Sequence, residues 1–155
     1  MTPLAQTLAS LESSHSLTHH LAPALARDVV RFPNGLPGFE ACRGFLLMAS
    51  EALGPLQCMK STEGPEASFL VVDPRRVLAD YRCELSISDR HRLGVADGAD
   101  TQGLLWLVLV TIELDGTITA NLRAPVVINP ERMVGQQVVP YQCVYPIRYV
   151  VASGE

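Results

Sequence analysis

Ser88-Asp89-Arg90-His91 sets a hydroxyl, a carboxylate and an imidazole within four residues. Those types serve a nucleophile, its base and the group that orients the base. A triad, however, is made by residues meeting in space, not by neighbours along a chain. His15, His19 and His20 are the one histidine cluster. His15 and His19 stand four apart, on one face if the segment is helical. A metal site would still need a further ligand of defined geometry, and a solvated chain end is the better reading. Asp97 and Asp100 hint at a calcium loop, but the remaining EF-hand positions and the closing Glu are missing, so a turn is the better reading. Gly35-Leu36-Pro37-Gly38 has the G-x-x-G spacing of a KH clamp, yet carries Pro inside and lacks flanking helices. G-x-S-x-G, H-E-x-x-H, P-loop and G-x-G-x-x-G patterns are absent from the sequence.

Cys42, Cys58, Cys83 and Cys143 form no C-x-x-C pair and have no zinc spacing. They read as reduced, mostly buried apolar residues. No metal and no cofactor is expected, and the chain does not read as an enzyme.

The elements that would position any site are short strands and turns. Residues 29–32, 45–49, 56–60 and 68–72 have strand character, separated by Gly/Pro turns. Asp73-Pro74 reads as an N-cap with Pro at the first helical position, opening one or two turns over 74–80. Residues 81–88 alternate, with Tyr81, Cys83, Leu85 and Ile87 on one side, which predicts a half-buried antiparallel strand. A polar loop over 88–103 follows. Residues 104–114 are apolar on both faces, as in a central strand covered twice. Asp115-Gly116 predicts a type I′ hairpin into 117–122, with Ile118, Ala120 and Leu122 inward and Thr117, Thr119 and Asn121 outward. Strands over 124–128, 136–139 and 144–151 complete the chain. In the last, Tyr141, Cys143, Tyr145, Ile147 and Tyr149 share a parity, consistent with a core face or with interface aromatics.

About eight to ten strands with little helix predict a mainly β fold, a small antiparallel β-barrel-like single domain with one or two short helices. Residues 28–155 form that domain. Residues 1–27 read as an N-terminal extension, with Leu4, Leu8 and Leu11 at helical spacing. The chain has 155 residues, enough for one self-sufficient core. At 48% hydrophobic and 18% charged, it is not a disordered chain. Sixteen acidic against twelve basic residues leave a net charge of −4, which argues against direct nucleic-acid binding and favours a basic protein partner. The first 26 residues hold no Lys or Arg, so no signal-peptide n-region is present, and the expected location is the cytoplasm. The longest apolar run, 104–112, is too short for a membrane-spanning helix.

Phe32-Pro33-Asn34-Gly35-Leu36-Pro37-Gly38-Phe39-Glu40 resembles the opening signature of the flagellar assembly factor FliW family. Further blocks follow in the family's order. They are Phe45-Leu46-Leu47, Pro55-Leu56-Gln57, Phe69-Leu70-Val71-Val72-Asp73-Pro74 with Tyr81 beyond it, the long block from Thr119 through Asn129, and Gln136-Gln137-Val138-Val139. The resemblance spans about residues 28–139. Arg123 stands where the family often has Leu, the family's N-terminal strand has no clear counterpart in 16–27, and 141–155 match loosely.

The resemblance implies a non-enzymatic regulator, monomeric when free. Such a protein binds and antagonises the RNA-binding translational regulator CsrA, and cytoplasmic flagellin sequesters it. Two alternatives stay open: a flagellin-binding chaperone without CsrA antagonism, and a small β-barrel ligand-binding protein or enzyme. The candidate partner-binding residues are Phe39, Gln57, Glu63, Glu66, Glu84, Asp89, Asn121, Asn129 and Gln137. The acidic members would supply the field that repels RNA phosphate. For the Asn residues, local backbone hydrogen bonding is the competing role. Gly35, Pro37 and Gly38 shape a turn.

Overall fold

The computed structural model describes residues 22–23, 29–96 and 98–154. The expected N-terminal helix, His15, His19, His20 and Asp97 lie outside those residues. Ten strands occur among the described residues: β1 Ala22–Pro23, β2 Val30–Arg31, β3 Gly44–Ala49, β4 Gln57–Ser61, β5 Ser68–Val72, β6 Leu105–Ile112, β7 Ile118–Ala120, β8 Val126–Asn129, β9 Val134–Gln137 and β10 Tyr149–Ala152. Seven of them close a ring in the order β6-β5-β4-β3-β2-β9-β8, and β8 returns to β6. The barrel anticipated from strand spacing is therefore present. Its pairings are antiparallel except at Arg31↔Val134, where β2 meets β9 in parallel. Closure leaves the ring without an open edge.

β6 explains its own two-faced apolar pattern. Its first half pairs with β8 and its second half with β7, while β5 lies along its other side. Leu105, Leu107 and Leu109 pack into the barrel interior with Phe32, Phe45, Leu47, Met59, Val71, Val126 and Ile128. Val108 and Val110 face outward beneath a second core with Leu53, Leu56, Tyr81, Ile118 and Leu122. Trp106 packs against a third cluster around Leu93, Val127 and Val138. Among the described residues no helix is long and apolar enough to cross a membrane.

The turn at 33–38 follows its chemistry. Gly35 and Gly38 have φ of 61° and 83°, and a Cβ on Gly35 would lie 2.5 Å from the Phe39 carbonyl oxygen. Asp73 caps a short 3-10 turn, Pro74–Arg76, accepting from the Arg75 amide at 2.9 Å.

Four expectations are corrected. Residues 81–86 are extended and keep alternating burial, but they pair with no strand; they lie across the outside of the barrel. Period two reports one-sided burial of an extended chain, not hydrogen-bonded neighbours. The segment ends where Ser86 caps the helix Ile87–Arg92, its Oγ accepting from the Asp89 amide at 3.0 Å. This leaves Ile87 70% exposed.

Residues 144–151 are not one strand. Pro146 has no N–H to give a ladder, and pairing begins only at Tyr149. At Asp115-Gly116 the left-handed residue is Gly116 alone (φ 85°). The Glu113 amide reaches the Thr117 carbonyl and the Gly116 amide reaches the Glu113 carbonyl, a longer loop than a type I′ turn. Thr117 and Thr119, expected to point outward, are buried; the Gly154 amide donates to Thr117 Oγ1.

β1 pairs with β3 (Ala22↔Ala49, Pro23↔Met48), so paired backbone begins within the 1–27 segment. Proline and alanine have low strand propensity, which hides this pairing from a pattern search.

Candidate functional site

The segment crossing the outer face, 81–86, and the irregular segment after β9 run close together and leave an open groove of about 1050 Å³ between them. Arg82, Glu84 and Leu85 line one wall, Tyr141 and Gln142 the other, and Trp106 and Leu104 also contribute. In and around the second wall the chain exposes an apolar strip: Val139, Tyr141, Val144 and Ile147, with Tyr141 94% accessible. Isolated exposed apolar residues need no explanation, but four within nine residues beside a groove are a concentration of exposed apolar side chains.

A tyrosine–cysteine cluster fixes the two walls. The Tyr81 and Tyr145 rings stack at 4.6 Å. Tyr81 Oη donates to the Leu122 carbonyl at 2.7 Å, and the Arg82 amide donates to Tyr145 Oη at 3.0 Å. Arg123 Nε donates to the Tyr145 carbonyl at 2.9 Å, and the Leu122 amide to the Pro146 carbonyl at 3.2 Å. The arginine that departs from the family pattern thus tethers the second wall to the barrel. Cys83 Sγ lies 3.2 Å from Tyr81 Oη and 3.5 Å from Cys143 Sγ.

Burial pushes the Cys83 thiol from 9.0 up to about 11, and the neighbouring Cys143 adds to the rise. Burial likewise raises the Tyr81 phenol. The folded state therefore holds these protons more tightly than the unfolded chain does. The Cys83 contribution to stability is complete below pH 9 and is lost as pH rises through about 11, whereas that of Tyr81 persists to higher pH. Urea midpoints measured from pH 8 to 11 are expected to fall across that window, and Cys83→Ala is expected to flatten the fall. A midpoint that is level in the wild type, or equally steep in the variant, contradicts this origin.

The sequence-derived candidates are dispersed over the barrel. Phe39 is 38% exposed at the 33–38 turn, edge-on to Phe69 at 5.0 Å. Glu63 and Glu66 are exposed on the β4–β5 loop, which packs beside that turn through Cys42 Sγ and the Pro65 carbonyl. Glu84 is exposed on the groove wall. Asp89 is half-buried on its helix and accepts from Gln136 Nε2 at 3.2 Å. Asn121 Oδ1 takes the Arg123 and Ala124 amides, while Gln137 Nε2 donates to the Ala124 carbonyl at 2.9 Å. Asn121 and Gln137 therefore meet at Ala124, one on its amide and the other on its carbonyl.

Asn129 is buried and bridges the Leu93 carbonyl and the Glu131 amide, so its amide is committed internally. Gln57 opens β4 with Oε1 buried and without a hydrogen-bond partner. Only Glu84 of these lines the groove. Arg82, Cys83, Trp106, Tyr141 and Cys143 were outside that candidate set. The available signal is the run of tyrosines at 141, 145 and 149, which the sequence leaves open between a core face and interface aromatics.

Among the described residues, no group of three or more His, Cys, Asp or Glu side chains is arranged to hold a metal ion.

A family model described as FliW protein matches residues 19–151. A flagellar assembly factor FliW from Natranaerobius thermophilus is 34% identical over 123 residues, covering 78% of this chain and 80% of that protein. One from Clostridium kluyveri is 30% identical over 140 residues, covering 88% and 93%. A crystal structure of the flagellar assembly factor FliW superposes with a TM-score of 0.73 at 27% identity, covering 83% of this chain and 89% of that one.

Proposed function

The chain belongs to the FliW family of flagellar assembly factors, and from that premise we propose that it is a cytoplasmic regulator that binds CsrA, antagonises it, and is itself sequestered by flagellin. The observation that carries this reading is the open groove with its exposed apolar strip, a surface suited to a polypeptide, on a scaffold of net charge −4. The groove is too open and too mixed in its lining for a small ligand, which is usually enclosed on most sides.

CsrA binds RNA, so its RNA-facing surface needs positive charge. An acidic protein docked beside that surface lowers RNA affinity by repelling phosphate, even without covering the site. Glu63 and Glu66 on one loop and Glu84 on the groove wall are exposed sources of that field. Flagellin occupying the groove excludes CsrA, which returns to repressing flagellin translation. Secretion of flagellin reverses the exchange. Coupling of this kind is reciprocal, so each partner must weaken the other's binding by the same factor.

A competition assay with the three purified proteins tests the proposal. Labelled RNA bound to CsrA is expected to be released on adding this chain, and rebound on adding flagellin. If flagellin binds while RNA stays on CsrA, the chaperone reading without CsrA antagonism replaces it. If a complex of all three forms at full occupancy, mutual exclusion is wrong.

A further inference from the structure

Cys83 and Cys143 are sixty positions apart in sequence and face each other across the base of the groove, Sγ to Sγ at 3.5 Å. Both are half-buried and line the groove, so a small oxidant reaches them, whereas Cys42 and Cys58 are buried in the cores. Neither sits in a strand. Cys83 belongs to the extended segment laid on the barrel, and Cys143 to the irregular stretch between β9 and β10. A disulfide needs the sulfurs to approach by about 1.5 Å, to a bond of about 2.05 Å. Unladdered backbone on both sides permits that movement without breaking sheet hydrogen bonds.

We propose that Cys83 and Cys143 are a redox modification site, forming an intramolecular disulfide under hydrogen peroxide that locks the two groove walls together and lowers partner affinity. The consequence for partner binding rests on the reading of the groove given above; the disulfide itself does not.

The chemistry balances in two steps. Cys143 thiolate attacks one peroxide oxygen, the O–O bond breaks, and the products are a sulfenic acid and hydroxide. The Cys83 sulfur then attacks the sulfenic sulfur, forming S–S. The sulfenic hydroxyl leaves with the Cys83 proton as water. Overall, two thiols are oxidised and one peroxide is reduced to two waters. Cys83 suits the second step because its sulfur already lies 3.5 Å from Cys143 Sγ. The bond adds a covalent link to a segment that the Tyr145, Leu122, Arg123 and Pro140 hydrogen bonds hold in the reduced protein. Drawing the two walls together at residues 83 and 143 narrows the open groove and fixes its width, which weakens its fit to a polypeptide.

The full-length protein is treated with hydrogen peroxide and compared with a sample kept in dithiothreitol. Intact mass should fall by two hydrogens, and peptide mapping should place the link at Cys83–Cys143 with Cys42 and Cys58 still alkylatable. The melting temperature should rise by about 5–10 °C, as a cross-link closing a long loop predicts. Cys143→Ser and Cys83→Ser should each abolish both changes. Flagellin affinity should drop at least fivefold in the oxidised protein and recover on reduction. Sulfinic acid, intermolecular dimers or another pairing in place of the Cys83–Cys143 link overturns the proposal. A clean link with unchanged flagellin affinity overturns its regulatory half. Reduced protein that binds neither flagellin nor CsrA overturns the groove reading and the regulatory half together, while the mass change still decides the disulfide.

Discussion

Phe32→Ala is expected to lower stability by about 3–5 kcal/mol in urea unfolding, the range for a fully buried aromatic cut to a methyl. Phe32 is wholly buried at the barrel interior and meets the Phe45 ring edge-on at 5.1 Å. It stands immediately after β2, near the single parallel contact that completes the ring. Its ring lies against Gly135 on β9: a Cβ there would sit 2.6 Å from Phe32 Cζ and 3.1 Å from Ile128 Cγ1. Gly135→Ala alone should therefore cost about 1–3 kcal/mol by overpacking.

The two changes touch the same space, so they should not add. In the Phe32→Ala background the methyl at 135 enters the vacated volume, and the second change should cost little or nothing. Urea curves for the four proteins give the interaction energy directly. A double variant as unstable as the two single losses combined would show that Phe32 and Gly135 do not share a packing site.

The second large effect concerns binding. Tyr141→Ala should weaken flagellin and CsrA binding about 30-fold or more, as truncation of a central aromatic anchor does. Its side chain is 94% accessible, so stability should stay within about 0.5 kcal/mol of wild type. Leu114→Ala is the matched control: Leu114 is fully exposed, but it lies at the tip of the β6–β7 hairpin instead of the groove. Its affinity should remain within about twofold of wild type, since surface changes away from an interface are near neutral. If isothermal titration shows both variants equally impaired, or neither, the groove is not the contact surface.

Much of the barrel was legible because its strands carry the pattern of their surroundings. β5 was placed at its observed bounds, since Ser68 through Val72 ends at an Asp-Pro that stops a strand and caps a turn. β6 showed two covered faces, and the three cores around it are the reason. Residues 81–86 misled because an extended strap on a barrel buries alternate side chains just as a strand does. The available counter-signal was Ser86-Ile87-Ser88-Asp89, a helix-start pattern.

The groove was illegible for a different reason. It is made by Cys83 and Cys143, sixty positions apart, and nothing local in either segment encodes their meeting. The Asx-type bonds of Asn121 and Asn129 were anticipated, because a short amide side chain bonds nearby backbone wherever it falls at a turn.

The ring is sealed by Arg31 against Val134, a junction spanning most of the described chain. Everything that borders the groove on its second side comes after that junction, from Val139 to Ile147. During synthesis, the barrel's last strand leaves the ribosome before the groove's outer wall does. The ring-closing strand is thus available before the groove's second wall, and that wall is seated only when Tyr145 and Tyr149 reach the second core on the barrel's outer face.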